Sequence, residues 1–464
     1  MRNSEAKKER TRERLLGLRR TREERPAALR AAKRMDERTR ARLRALRRSS
    51  VSVLAIALLT AVFEASGFAL ALLRPASAVS ANAAALCALA VAAGLATTLI
   101  LPRFLPVEPL VMALTNFLCG TGLVLLLTVS PERGARQIIY YFVGLALMLV
   151  MSLAVTRIHR LGMLSALAAL AGTLLLALPL LFGEWVNGAK NWVSLPGIGI
   201  PFQPSELVKL CLILVLAEAF SRRPSFREMI PALLFAVACL LLLMLQRDLG
   251  TALIYFLTTL IVFYAAGGSL PLVLLGLLGG AGAAVFGYAM FPHVRLRVAM
   301  WRNPWSDPTG GGYQIIQALL AIGSGGLFGV GLGQGAPEKI PAYFNDFIFA
   351  VACEQLGQVF GVLLLAAYAA LLLRGAALVL RARRSFGMLL GCGVVACLGT
   401  QTLMIAAGVI KLIPLTGVTM PFLSYGGSSL VSCMGMIGIL HGTDAGERRA
   451  LEADFSSAGK GGEP

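Results

Sequence analysis

The stretch "PALLFAVACLLLLMLQRDLGTALIYFLTTLIVFYAAGG" occupies residues 231–268. Two apolar runs, each of about 18 residues, flank one polar interruption at Gln246, Arg247 and Asp248, and each run wound as a helix spans most of a bilayer core. The apolar residues are consecutive rather than alternating, which excludes half-buried strands and the strands of a membrane barrel. Backbone polar groups in lipid must be satisfied within their own segment, so such runs are helices.

The whole chain repeats this pattern. It has 464 residues, 57% hydrophobic and only 14% charged, with a mean hydropathy of +0.75. A soluble domain carries about 25% charged residues. Apolar segments predict about twelve transmembrane helices, at 51–73, 80–101, 107–129, 137–156, 161–182, 204–221, 229–246, 249–267, 270–291, 346–374, 386–412 and 423–442. The fold class is therefore all-α and polytopic. Basic residues mark the cytoplasmic side of such bundles. Arg103, "RIHR" at 157–160, "SRRPSFR" at 221–227, "RARRS" at 381–385 and "GERRA" at 446–450 fall on one side, with both termini. Arg74, Arg133 and Arg136 dissent. Two long connections then lie outside, 183–203 and 292–345, the second before the tenth span. A moderately apolar piece of the latter, "YQIIQALLAIGSGGLFGVGLGQG", suits a surface or re-entrant segment.

Residues 1–50 hold 19 Lys/Arg against 7 Asp/Glu of a chain whose net charge is +19. Nucleic-acid binding is one reading of such a tail. The adjoining span favours a cytoplasmic segment attracted to anionic lipid, with no nucleic-acid partner. The eight cysteines sit in apolar runs without a CxxC pair, and the three histidines are far apart, so no metal motif is expected. No cleavable signal peptide is expected, because the apolar run before "ASA" at 76–78 is too long.

Ionisable residues inside spans carry the functional signal. "PAYFNDFIFAVACEQLG", 341–357, sets Asp346 at the mouth of a span and Glu354 eight residues on, about 80° round the helix and about 12 Å deeper. Asn345-Asp346 also suits a helix N-cap. In "FQPSELVKL", 202–210, Glu206 and Lys209 share a face. They read either as a satisfied ion pair or as a lysine meeting an anion such as pyrophosphate. Arg247 and Asp248 read as a polar turn with Asp248 capping the next helix, or as a phosphate contact. Lys190, Arg295, Arg297, Arg302 and Lys411 add outer positive charge. The glycines of "GSGGLFGVGLGQG" lack the dinucleotide spacing and suit tight turns or close backbone approach. Gly426 and Gly427 of "FLSYGGSSL", 422–430, permit irregular backbone at the mouth of the last span.

In this order, "NGAKNW…FQPSELVKL", "QRDLGTAL", "NPWSDPTGGGYQIIQALLAIGSGGLFGVGLGQG", "DFIFAVACEQLG" and "IPLTGVTMPFLSYGGSSL" resemble the SEDS family (shape, elongation, division, sporulation), the FtsW/RodA/SpoVE group of peptidoglycan glycosyltransferases. The resemblance implies a ten-helix core over 107–442, preceded by an added pair at 51–101 and the basic tail at 1–50, and followed by a cytoplasmic tail at 443–464. The family's Asp before Phe-Ile-Phe falls on Asp346, and its Gln-Pro-Ser-Glu-x-x-Lys residues on Gln203, Ser205, Glu206 and Lys209. Arg247 stands where the family has Pro. Ala342 and Phe344 replace the usual Glu and His, Gln355 the second Glu, Asn191 the Arg before Trp192, and Ile405 an Asn.

The implied activity is polymerisation of lipid II at the outer face of the bacterial cytoplasmic membrane, for division or shape. Asp346 is then the general base of an inverting transfer. Lys209, Glu206, Arg247, Arg297, Arg302 and Lys190, or a divalent cation such as Mg or Mn, meet the pyrophosphate. Glu354, Gln203, Ser205, Trp192, Tyr425 and Ser428 support the site. A class B penicillin-binding transpeptidase is the implied partner. A lipid II flippase and an inactive scaffold recruiting that transpeptidase are the alternatives.

Overall fold

A computed structural model describes residues 52–73, 81–105, 107–157, 161–186, 188–194, 201–222, 225–382 and 385–460. The basic tail, its expected lipid contact and Arg74 lie outside these residues. From Ile56 onward the chain forms one compact unit.

Helices α1 (Ser52–Leu72), α2 (Ala81–Leu95), α3 (Pro109–Val129), α4 (Pro131–Arg157) and α5 (Leu161–Phe182) follow the apolar runs. They are followed by α6 (Pro204–Ser221), α7 (Phe226–Leu245), α8 (Leu249–Ala265) and α9 (Leu270–Met290). Helix α2 continues through a π turn, Ala96–Ile100, and a short 3-10 turn, Leu101–Arg103. Among the described residues nine helices are long and apolar enough to cross a membrane. Of the other expected spans, α6 carries Glu206, Lys209 and Glu218, and α8 has 17 residues. Helix α3 is the most enclosed, with 89% of its window buried, whereas α9 buries only 6%. Such an apolar, unburied helix is what lipid contact requires. The last helix, α15 (Gly427–Lys460), packs along α4, with Gly438 so close to Met148 that a Cβ would lie 2.2 Å from its carbonyl oxygen. It runs on past the expected end at 442.

One expected span is corrected, and the connection 183–203 carries structure of its own. It forms a small antiparallel sheet of β1 (Glu184–Val186), β2 (Ala189–Ser194) and β3 (Pro201–Phe202) in the order β1-β2-β3. More consequentially, 346–374 is not one helix. Helix α10 (Pro292–Arg302) and helix α11 (Tyr313–Ser324) precede a nine-residue helix, α12 (Ile348–Leu356), which stops at Gly357. Helix α13 (Gln358–Val379) starts afresh, followed by α14 (Ser385–Val409). Helices α11 and α12 are too short to cross about 30 Å of hydrocarbon.

The break at Gly357 frees backbone groups that lipid could not satisfy. The glycine-rich segment after α11 meets them. Val330 and Gly331 donate to the carbonyls of Glu354 and Gln355 at 2.9 and 3.0 Å. Gln358 and Val359 donate to the carbonyls of Gly326 and Leu327 at 2.9 and 3.2 Å. Gly357 has φ 90°, and a Cβ there would lie 2.3 Å from the Leu327 oxygen. Gly357→Ala therefore combines backbone strain of about 1–3 kcal/mol with a backbone clash. Thermal unfolding in detergent should fall by several degrees, and an unchanged midpoint would show that the break is not held this way.

Candidate active site

Residues 341–347 run as consecutive turns into α12. The helix begins at Ile348 behind an N-cap at Phe347 that makes no side-chain cap bond. Asp346 is thus not the cap, and the helical offset between Asp346 and Glu354 does not apply across the turn. Among the described residues nothing hydrogen-bonds or ion-pairs with the Asp346 carboxyl. The backbone just before it is clamped instead. Ser424 donates its hydroxyl to the Asn345 carbonyl at 2.6 Å, and the Tyr425 N–H donates to the Phe344 carbonyl at 2.8 Å. Gln137 of α4 ties that clamp down, donating to the Ser424 carbonyl at 3.0 Å and accepting from the Gly426 N–H at 3.2 Å. Phe344, at the position of the missing His, lies edge-on to Tyr425 and beneath the Arg133 guanidinium, 3.8 Å from its centroid.

Arg297 of α10 supplies the charge facing Asp346. Its Nη1 donates to the Thr416 carbonyl at 3.1 Å. The next residue, Gly417, is exposed with φ 73°, and a Cβ there would lie 3.4 Å from Arg297 Nη2 and 3.7 Å from Asp346 Oδ2. Gly417 therefore marks an open gap between carboxylate and guanidinium. Burial pushes the Asp346 carboxyl up to about 6, against the lowering pull of Arg297. Burial, Arg297 and Arg247 all lower His293, keeping it neutral at neutral pH. Trp301 donates to the Lys411 carbonyl at 3.2 Å and holds α10 against this corner.

The other expected anion contacts are placed differently. Lys209 is 1% exposed, with its ammonium 2.6 Å from Glu206 Oε2 and donating to Gln401 Oε1 at 2.9 Å. The pair is a buried helix tie and offers no free cation to a pyrophosphate. Lys190 donates its ammonium to the Leu180 carbonyl at 2.8 Å. Arg247, at φ 61°, lies over the Trp185 ring at 4.9 Å. Asp248 caps α8 through the Thr251 N–H and also accepts from Asn191 and Gln203. Arg302 and Arg295 are exposed. Ser428 accepts from the Gln203 N–H at 3.1 Å, and Tyr255 donates to the Ser205 carbonyl at 2.6 Å, so these support residues join α6, α8 and α15. Trp192 lies half-buried in β2 opposite Glu184.

Glu354 holds the glycine-rich segment, accepting from the Ala336 N–H at 3.0 Å, and Gln355 accepts from the Gly333 N–H at 2.9 Å. Sequence reading missed Gly417, Gln137, Ser424 and Gln401. Gln137 and Gln401 were visible as lone amides within apolar helices. Among the described residues no three of His, Cys, Asp and Glu converge. At the Asp346 corner the neighbouring charge is a guanidinium, so the chain's own donors do not form a cage for Mg or Mn.

The sequence model described as cell cycle protein, FTSW_RODA_SPOVE, matches residues 110–449. The chain is 35% identical over 379 residues to a peptidoglycan glycosyltransferase RodA of Mycobacterium tuberculosis, covering 75% of this chain and 80% of that one. Its structure is similar to that of the Rod shape determining protein RodA of Thermus thermophilus, with TM-score 0.54 and 30% identity, covering 75% and 99% of the two chains. It is also similar to a chain from a peptidoglycan synthase complex that coordinates polymerization and crosslinking, with TM-score 0.60 and 30% identity, covering 72% and 96%. The chain belongs to the FtsW/RodA/SpoVE family.

The buried tie can be tested directly. Lys209→Met strands Glu206 and should cost about 3–5 kcal/mol, while Glu206→Gln with Lys209→Met should recover most of that. Thermal unfolding of the three proteins in detergent measures it; a mild single variant would mean that Lys209 is not committed to Glu206.

Proposed function

We propose that this family member is a peptidoglycan glycosyltransferase that lengthens glycan strands from lipid II, with Asp346 as general base. The observation that carries this reading is a carboxyl held by its backbone, without a hydrogen-bond or ion-pair partner among the described residues, and facing Arg297 across the gap at Gly417. A base must keep its lone pairs for the incoming proton, and here rigidity comes from Ser424 and Tyr425 rather than from bonds to the carboxyl.

An Asp346 oxygen takes the proton of the acceptor GlcNAc 4-hydroxyl as that oxygen attacks the anomeric carbon of the donor MurNAc. The bond from that carbon to the undecaprenyl pyrophosphate breaks, the pyrophosphate leaves with the electron pair, and the configuration inverts. A positioned base contributes about 10²–10⁴-fold. A group at about 6 is mostly ionised at neutral pH and still basic enough to accept a proton. Arg297, with exposed Arg302 on the same helix, meets the leaving charge. The basic connections support a cytoplasmic location for the opposite end of the bundle, and on that orientation the Asp346 corner opens outside with the lipid tails in the bilayer. The relationship to a synthase that couples polymerization with crosslinking supports a transpeptidase partner.

Asp346→Asn should abolish strand formation from purified lipid II while the protein remains folded; full activity would remove Asp346 from the chemistry, and no strand formation by the unaltered protein would favour a flippase or scaffold. Below about pH 6 the rate of the intact protein should drop as Asp346 takes up a proton. Arg297→Ala removes the charge that lowers Asp346, so the acid limb should move to higher pH as well as losing amplitude. Initial rates across the pH range check both, and a limb that stays put would uncouple Arg297 from the base.

A further inference from the structure

Another buried carboxyl, on α1, takes no part in this chemistry. Glu64 of α1 is 5% exposed and packs against α3, with its Oε1 1.8 Å from where a Cβ of Gly120 would be. The carboxyl occupies the space that any larger residue at 120 would need. Among the described residues no Lys, Arg or His pairs with it and no donor hydrogen-bonds to it. An isolated carboxylate is not sustained in apolar surroundings; it is neutralised by a partner.

The surroundings are oxygen-rich. Thr60, one turn before Glu64 on the same face, is 6% exposed, and its hydroxyl has no hydrogen-bond partner among the described residues. Thr97, Thr121, Thr173 and Thr259 each return their hydroxyl to the carbonyl four residues back, whereas Thr60, like Thr115 and Thr258, does not. Facing it, the last turn of α2 presents Gly94, whose carbonyl accepts from Asn116 at 3.0 Å, and the π turn presents Thr98, whose hydroxyl accepts from Asn116 at 2.9 Å. Tyr141 fixes the Asn116 amide from α4, donating to its Oδ1 at 2.9 Å. A Cβ on Gly94 would stand 3.9 Å from both Glu64 Oε2 and the Tyr141 hydroxyl. Thr60, Glu64, Gly94, Thr98 and Asn116 line a hollow of about 10 Å³. That is room for one water-sized occupant.

We propose that Glu64 heads a site for one monovalent cation, a proton or a sodium ion, enclosed between the first two helices and the α3–α4 pair. The unpaired carboxylate supplies the charge, the free Thr60 hydroxyl a neutral ligand, and the hollow the size limit. Helices α1 and α2 precede the region matched by the family model, so the site is built at the seam between an added pair and the core. Occupancy neutralises the carboxylate and so favours docking of that pair.

Dicyclohexylcarbodiimide, an apolar reagent for protonated carboxyls, tests this on the full chain in nanodiscs, with peptide mass spectrometry read at Glu64. In sodium-free choline buffer at the acid end of the pH range, Glu64 should be modified. The infrared band of a protonated carboxyl should be present and lost in Glu64→Gln. Sodium chloride that suppresses modification several-fold at constant ionic strength identifies the occupant as sodium, and Thr60→Val should then weaken the protection. Modification that falls with rising pH and ignores sodium identifies a proton. No modification and no Glu64-dependent infrared band in sodium-free acid buffer would overturn the site.

Discussion

Lipid offers no hydrogen bonds, and the break between α12 and α13 is where this chain meets that constraint most severely. A helix that stops at Gly357 leaves carbonyls behind it and N–H groups ahead of it unmet. The segment 325–335 supplies both sets of partners from its own backbone, by way of residues small enough to approach within hydrogen-bonding distance. Because the break is satisfied, α12 can be a short plug inside the protein, with every residue from Ile348 to Gln355 buried. Because α12 is short and fixed, the turn that precedes it, with Asp346, has a defined place.

Two polar networks then brace that turn. One runs from Gln137 through Ser424 and Tyr425 to the carbonyls of Phe344 and Asn345. The other links Glu206 and Lys209 to Gln401, Thr419 and Ser429, joining α6, α14 and the base of the last helix. Both end on residues 419–429, so that stretch positions the site although none of its side chains is an ionisable acid. Buried networks of this kind are costly when half-made and rigid when complete, which suits a surface that must hold a sugar in register.

Much of this was legible in the sequence. Continuous apolar runs give helices at nearly all the expected positions, and Asp346 stands out as a carboxylate at the edge of such a run. The divided tenth segment was not legible, because "FIFAVACEQLGQVFGVLLL" reads as one mainly apolar run despite Glu354, Gln355 and Gln358, and a glycine within it gives no signal of its φ. For Lys209 the sequence left an ion pair and an anion contact both open, because spacing reports that Glu206 is on the same face, not whether both are sealed from water. Asp248 read correctly as a cap, since the neighbouring glycine and threonine begin an apolar helix. Gly417 was invisible: its role is to leave space between two residues that are far apart in the chain.

That empty space links the substrate's charge to the enzyme's proton affinity. On the proposed chemistry, a pyrophosphate entering beside Gly417 competes with the carboxylate for the Arg297 guanidinium. As the arginine's charge is spent on the donor, Asp346 loses the one influence that restrains its basicity. The base then strengthens when a donor is seated and weakens when the gap is vacant, so the donor arms the residue that activates the acceptor.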